Sequence, residues 1–333
     1  MKHLFGKLRG IFIVNRIVRN FIVRSIAFLK WFSDRWTLSG RVVIYFHGRK
    51  LLFLTNNDDG IVDTLFYGRG YKEAGDIILF SELSRRSSTI LDIGANTGLY
   101  SIIAAAFNPS ADIIAFEPNP INQIRFQQNA QVNKASNVRL IKSAVGDNNR
   151  QVLFTVPEKN VINDTSSVNN EFAQSFYKGE MKWKQITVPQ RSLDSLFSEN
   201  FHSIDLMKID VEGYEINVLE GAQNFFNVNS PVIFCEIFLT DKSKRYFDAF
   251  TKKYQYIPYI IFKEGILRLD DGLTENFIGY NFLFAKGRTK EVFTSFKIMD
   301  KLLDEIISED NSQYARSSQR ATNFQAMDSA ITS

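Results

Sequence analysis

From residue 89 to residue 238, short and almost wholly apolar runs alternate with stretches of helical character. TILDIG (89–94) reads as a strand and 97–107 as a helix. ADIIAFEP (111–118) is a second strand, NPINQIRFQQNAQVN (119–133) a second helix, and VRLIKSAVG (138–146) a third strand. IDLMKIDVEG (204–213) and PVIFCEIF (231–238) follow as strands, with a helix from Tyr214 to about Phe226 between them, and YNFLFAKG (280–287) is a late strand. Strands that stay apolar on both sides must be covered on both faces, and crossover helices provide that cover for parallel neighbours. The expected fold is α/β, Rossmann-like, with a mostly parallel sheet between two helical layers.

The first 60 residues stand apart from this pattern. Residues 1–41 hold nine Lys/Arg and one acid, Asp34, whereas the whole chain has a formal net charge of only +4. The basic character is local, which argues against a nucleic-acid binder and for an encounter with an anionic surface. Residues 10–32 place Arg16, Arg19, Arg24 and Lys30 on one helical arc, with Ile11, Val14, Val18, Phe21 and Ile22 opposite. These charges interrupt every apolar run short of the roughly 20 residues a membrane span needs. A basic amphipathic helix is expected, either packed on protein or lying at the inner face of an anionic membrane. GRVVIYFHGRKLLFLTN (40–56) reads as a β-hairpin turning at His47–Gly48. Residues 61–300 would then be the main domain, and 309–333, polar and aperiodic, an unstructured tail. Cys235 is the only cysteine, so no internal disulfide forms and a reducing, cytoplasmic setting fits.

The chemistry concentrates where the first strand ends. Asp92-x-Gly94-x-x-x-Gly98 departs from the G-x-G-x-x-G of dinucleotide sites, and the third glycine is missing at Ser101. The two glycines would let the backbone turn and a ligand approach. The second strand closes on Glu117, whose carboxylate suits a pair of ribose hydroxyls. This loop fits an adenosine with a zwitterionic tail and no phosphate, which describes S-adenosylmethionine. A nucleotide-dependent oxidoreductase remains the alternative, and a non-catalytic membrane-surface module with a vestigial nucleotide fold is a second.

TILDIGANTGLYS (89–101), FEPNP, SAVGD (143–147), SSV (166–168), SLD (192–194) and above all LMKIDVEGYEINVLEGA (206–222) together resemble the FkbM family of S-adenosylmethionine-dependent methyltransferases, with YGRGYKEAGD (67–76) upstream. The resemblance spans roughly residues 60–240. It implies a class I methyltransferase fold with a seven-stranded sheet, and O-methyl transfer to a hydroxyl of a sugar, glycan, glycolipid or related natural product, as in polysaccharide biosynthesis. It also implies that Asp92, Gly94, Asn96 and Gly98 line the amino-acid and ribose portions of the donor. Glu117 and Asn119 would sit at the ribose, with Ala144, Val145, Gly146 and Asp147 on the adenine side. Asn119 equally reads as a helix N-cap, and Asp147 as a turn carboxylate.

Groups that remove the acceptor proton should stand at strand ends. Asp210, Glu212 and Glu236 are so placed, and Lys208 shares a strand face with Asp210. Carboxylates on neighbouring strand ends also suit a divalent metal, which stays open beside a base. A histidine base has few candidates, since His3 lies at the chain start, His47 in the hairpin turn and His202 in a loop before a strand.

Overall fold

The structure, a computed structural model, describes residues 38–56, 62, 65–66, 74–158, 166–170, 182–198, 203–262, 265–269, 272–273 and 281–286. The expected amphipathic helix at 10–32 and the tail at 309–333 lie outside these residues.

The described residues begin with the hairpin β1 (Ser39–Phe46) and β2 (Arg49–Asn56), paired antiparallel. His47 and Gly48 both have positive φ, 43° and 78°, the backbone a two-residue hairpin turn requires. Next come α1 (Ala74–Ser84), β3 (Thr89–Ile93), α2 (Leu99–Phe107), β4 (Asp112–Phe116), α3 (Pro120–Asn133) and β5 (Val138–Ile141). The short strand β6 (Ala144–Val145) joins β7 (Arg150–Pro157) and β8 (Trp183–Arg191) in a separate three-stranded sheet. After α4 (Leu193–Leu196) the chain re-enters the main sheet with β9 (Leu206–Ile209). The remaining elements are α5 (Glu215–Glu220), α6 (Phe225–Val228), β10 (Val232–Glu236), α7 (Asp241–Tyr254), β11 (Ile257–Phe262), β12 (Gly265–Arg268) and β13 (Asn281–Ala285).

The main sheet has the order β12-β11-β13-β10-β9-β3-β4-β5. β5, β4, β3, β9 and β10 are mutually parallel, and the other three join through antiparallel pairings. Adjacent residues serve opposite faces. Leu206 packs with Phe80 and Phe234, whereas Met207 packs with Phe225, Phe226 and Phe284. The chain winds outward from β3 in one direction and from β9 in the other, so the gap between these two strands is the topological switch point.

The Rossmann-like expectation holds, with eight strands in the main sheet among the described residues where seven were expected. The added edge strand, β12, turns back on β11. The expected third strand over 138–146 is split: β5 ends at Ile141, and Ala144–Val145 turns away to pair with Gln190–Arg191. The expected helix from Tyr214 to Phe226 is also broken, because Asp194 accepts hydrogen bonds from the N–H groups of Asn224 (3.1 Å) and Phe225 (2.8 Å) and starts a new helix there.

One packing arrangement ties the hairpin to the domain. Asn129 and Asn133 of α3 lie four residues apart, about 6 Å along a helix, which matches two residues of strand. Asn133 Oδ1 accepts from Leu52 N–H and Asn129 Oδ1 from Leu54 N–H, both at 2.8 Å. Arg125 donates to the Leu54 carbonyl at 2.7 Å. Helix side chains thereby satisfy the outer edge of β2.

Candidate active site

At the end of β3 the backbone turns through Gly94, Asn96 and Gly98, all with positive φ. Gly94 meets the end of β9. A Cβ built on it would lie 1.8 Å from the Asp210 carbonyl oxygen, and Asp210 N–H donates to the Ile93 carbonyl at 3.0 Å. Gly98 meets Phe126, whose ring would stand 2.8 Å from a Cβ. At both glycines a Cβ would collide with the protein itself. Gly94 still lines the cavity that opens here; Gly98 does not.

That cavity, of about 230 Å³, lies over the carboxyl ends of β3, β4 and β9. Of the residues expected at the donor, Gly94, Asn96, Glu117, Ala144 and Val145 line it. Glu117 is its best-defined polar group. Oε2 accepts from Asn96 N–H at 2.8 Å and Oε1 from Asn119 N–H at 2.7 Å. Burial pushes the Glu117 pKa up to about 7 against the pull of these two bonds. A carboxylate oxygen accepts more than one hydrogen bond, so each retains capacity for a hydroxyl.

Five expected donor residues lie elsewhere. Asn119 caps α3, its Oδ1 accepting from Ile121 N–H at 3.0 Å. Gly146 N–H donates to the Arg191 carbonyl, and Asp147 pairs with Arg150 at 3.2 Å and accepts from Gln190 Nε2 at 2.9 Å. The SAVGD run thus faces the cavity with its first half and fastens the small sheet with its second. Gly98 packs as described. Asp92 is buried beneath the loop, where Oδ2 accepts from Ser101 Oγ at 2.6 Å, and burial raises its pKa. It stands opposite Lys208 in the β3–β9 register. The sequence reading missed Ser143, whose buried Oγ lines the cavity with no hydrogen-bond partner, and also Asn122, Phe154 and Tyr214. Ser143 was signalled only as the head of SAVGD.

The four residues expected at the chemical step come together. Lys208 Nζ meets Asp210 Oδ2 at 2.5 Å and lies 4.4 Å from the centroid of the Tyr100 ring. Burial opposes the charge of Lys208, but Asp210 and Asp92 together outweigh it and raise its pKa. Burial likewise opposes the Asp210 charge, and Lys208 overcomes it and holds the pKa down. Glu236 adds to the lowering of the Asp210 pKa. One carboxylate oxygen each from Asp210, Glu212 and Glu236 falls within 4.8 Å of the others. That donor set fits a hard divalent cation, with Lys208 competing for Asp210.

Glu212 holds its place through a strained backbone, φ 56°. Glu215 Oε1 accepts from the N–H groups of Val211 (3.2 Å) and Gly213 (3.1 Å), and Ser167 Oγ donates to the Glu212 carbonyl at 2.7 Å. Burial lifts the Glu215 pKa to about 7. Glu215 is the clasp of the Asp210–Gly213 loop.

The domain is a doubly wound α/β fold with a buried carboxylate, Glu117, just past β4 and a carboxylate cluster at the ends of β9 and β10. Residues 92–261, more than half of the chain, match the methyltransferase FkbM domain, and the chain belongs to that family. Among curated relatives, the 2-O-methyltransferase NoeI of Sinorhizobium fredii is 28% identical over 151 residues, covering 44% of this chain and 61% of that protein. The hexuronic acid methyltransferase AglP of Haloferax volcanii is 28% identical over 168 residues, covering 49% and 62%. Methyltransferase 1 of Beauveria bassiana is 26% identical over 147 residues, covering 41% and 59%. The chain thus spans about six-tenths of the length of these relatives. A crystal structure of Methyltransferase FkbM from Methylobacillus flagellatus overlaps 60% of this chain and 43% of its own at 15% identity, with a TM-score of 0.39. Among the described residues no helix is long and apolar enough to cross a membrane.

Proposed function

We propose that this chain transfers the methyl group of S-adenosylmethionine to a hydroxyl of a sugar, glycan or glycolipid. The observation that carries the reading is the charge of the cavity. Glu117, Asp210, Glu212 and Glu236 line it against a single cation, Lys208, among the described residues. Such a wall welcomes a cationic sulfonium and opposes the pyrophosphate of a dinucleotide, which favours methyl transfer over the oxidoreductase alternative. The names of the relatives NoeI and AglP support a sugar acceptor.

When bound, the donor supplies an electrophilic methyl for in-line attack by the acceptor oxygen. Glu117 receives the two ribose hydroxyls, and Ser143 Oγ offers a further hydrogen bond in the cavity. Asp210 and Glu236 would take the proton of the acceptor hydroxyl, with Lys208 keeping the charge on Asp210. Asp210, Glu212 and Glu236 would hold a divalent cation in the version in which the metal acidifies the hydroxyl. Turnover that survives thorough chelation removes this version and leaves the carboxylate base.

Peripheral attachment through the basic segment at 1–41 is a separate proposal. It predicts binding to anionic vesicles that fades as salt shortens the Debye length. The first experiment is calorimetric titration with S-adenosylhomocysteine and with NAD. Binding of NAD alone would refute the methyl-transfer reading.

A further inference from the structure

The departure from the dinucleotide pattern at Ser101 belongs to a pair of buried polar residues. Ser101 stands where the third glycine of that pattern would fall, and it is fully buried. Its Oγ donates at 2.6 Å to Oδ2 of Asp92, which is 1% exposed. The other oxygen, Asp92 Oδ1, is buried with no hydrogen-bond partner among the described residues.

Anchoring Ser101 does not account for a charge at this place. One acceptor oxygen holds a hydroxyl, and asparagine would supply it without burying a carboxylate. Contact with a ligand does not account for it either. Asp92 lines neither the larger cavity nor a smaller one, of about 30 Å³, which Asp76, Asn281, Asp210 and Glu236 help to line.

Lys208 does account for it. Asp92 and Lys208 are register partners on β3 and β9, so their side chains leave one face of the sheet on strands about 4.8 Å apart. Burial works against the charge on Asp92, and Lys208 does most to sustain it. Lys208 lines both cavities, and its ammonium meets Asp210 at 2.5 Å and the Tyr100 ring at 4.4 Å. Tyr100 and Ser101 are consecutive in the first turn of α2. That turn therefore bears on the ammonium twice, directly through the ring and indirectly through Asp92.

We propose that Asp92, held by Ser101, is a positioning residue that fixes the Lys208 ammonium beside Asp210 and does not touch the donor. Asp92 on β3, Asp210 on the lysine's own strand and Tyr100 on α2 hold the ammonium from three directions. Without the Asp92 charge two of them remain, and the ammonium follows Asp210 and Glu236 toward the cavities. This rests on the methyl-transfer reading above, in which Lys208 sustains the charge of the group that takes the acceptor proton.

The test uses the full chain with isotopically labelled lysine, read by nuclear magnetic resonance. The Lys208 ammonium signal is the one lost in Lys208→Met. Asp92→Asn should shift that signal and leave the Kd for S-adenosylhomocysteine, measured by calorimetry, unchanged. Turnover is followed with labelled S-adenosylmethionine on the methyl glycosides of glucose, galactose, rhamnose, fucose and glucuronic acid. Asp92→Asn should lower kcat by about tenfold or more with little change in acceptor KM. In a Lys208→Met background the same change should have no further effect on kcat, because the group it acts through is gone. If Asp92→Asn does not fold, Ser101→Ala carries the same comparison. A Lys208 signal that neither variant moves overturns the proposal. So does a loss of adenosylhomocysteine affinity that matches the loss of kcat, which would make Asp92 a donor residue, or a penalty on kcat that is equal with and without Lys208. Where no glycoside is methylated, the signal and the affinity decide. Absence of adenosylhomocysteine binding to the native chain fails the methyl-transfer reading itself, and the Lys208 signal still shows whether Asp92 holds the lysine.

Discussion

Glu117→Gln tests the donor site while leaving its shape almost intact. In the native chain each carboxylate oxygen accepts one buried N–H, from Asn96 or from Asn119. Glutamine has one carbonyl oxygen, so its amide group must confront one of those two donors. It also removes the charge that strengthens both ribose hydrogen bonds. Bonds to a charged acceptor contribute about 1.5–3 kcal/mol and neutral ones about 0.5–1.5. Converting two bonds therefore weakens S-adenosylmethionine binding by about 2 kcal/mol, or about 30-fold in Kd. The pKa of about 7 provides an internal control. A cationic donor favours ionised Glu117, so native affinity should rise as pH climbs through about 7 while the variant's stays flat. Well below that pH the native side chain is protonated and as neutral as glutamine, and the gap should narrow. Calorimetric titration on both sides of the transition measures this. Equal affinities above it, or a gap that does not change with pH, would refute the ribose assignment.

Gly94→Ala should lower the melting temperature sharply or prevent folding, because its Cβ would lie 1.8 Å from the Asp210 carbonyl oxygen; a variant with a native melting curve but lost donor binding would show that the glycine serves the ligand after all. Glu215→Ala strands two N–H groups, at about 1–3 kcal/mol each, and frees the Glu212 loop, so kcat should fall while donor affinity holds. Glu215→Gln should behave oppositely, since both bonds go to one oxygen, which an amide also has. The native pKa of about 7 is raised above the unfolded value, so the Glu215 contribution to stability is full below about pH 4.5 and lost as pH rises through about 7. Glutamine should therefore melt at or above the native temperature at alkaline pH, and a lower melting point there would contradict the burial argument. Asn129→Ala should cost about 2–4 kcal/mol in chemical denaturation by stranding Leu54 N–H and the Thr97 carbonyl; a loss under about 0.5 would show that water replaces the amide.

The parallel strands were legible because each is a continuous apolar run with a helix after it, a pattern local to about ten residues. What escaped was fixed by partners distant in sequence. Val138–Gly146 carries a strand composition throughout, yet its second half leaves the sheet because Gln190–Arg191, some 45 residues on, offers a better edge. Strands β11 and β12 and helix α7 went unread, although Thr240 and Ser243 form a capping box at the start of α7 that a closer search could have found. The site divides in the same way. Lys208, Asp210, Glu212 and Glu236 could be gathered from strand ends alone, since topology dictates where strand ends meet. The protein neighbours of the glycines were not legible. A short loop shows that Cβ is forbidden, but not whether the obstacle is a ligand, the Asp210 carbonyl or Phe126.

The segments flanking the family match at 92–261 reach its site from both sides. Before it, β2 docks on α3, and the same Asn129 that accepts from Leu54 N–H donates to the Thr97 carbonyl at 2.9 Å, in the turn that lines the larger cavity. Also before it, Asp76 of α1 reaches across to Asn281 of β13, which follows the match. β13 is more than an appendage, since it lies between β10 and β11 and pairs with both. Ending the chain at residue 261 would leave the Glu236 strand with an open edge and β11 with no neighbour on either side, because β12 would be lost as well. The carboxylate cluster thus depends on residues beyond the family match for its scaffold. The match supplies the strand ends that bear Glu117 and the carboxylate cluster, and the flanks hold the Thr97 turn on one side and help line the small cavity beside Asp76 on the other.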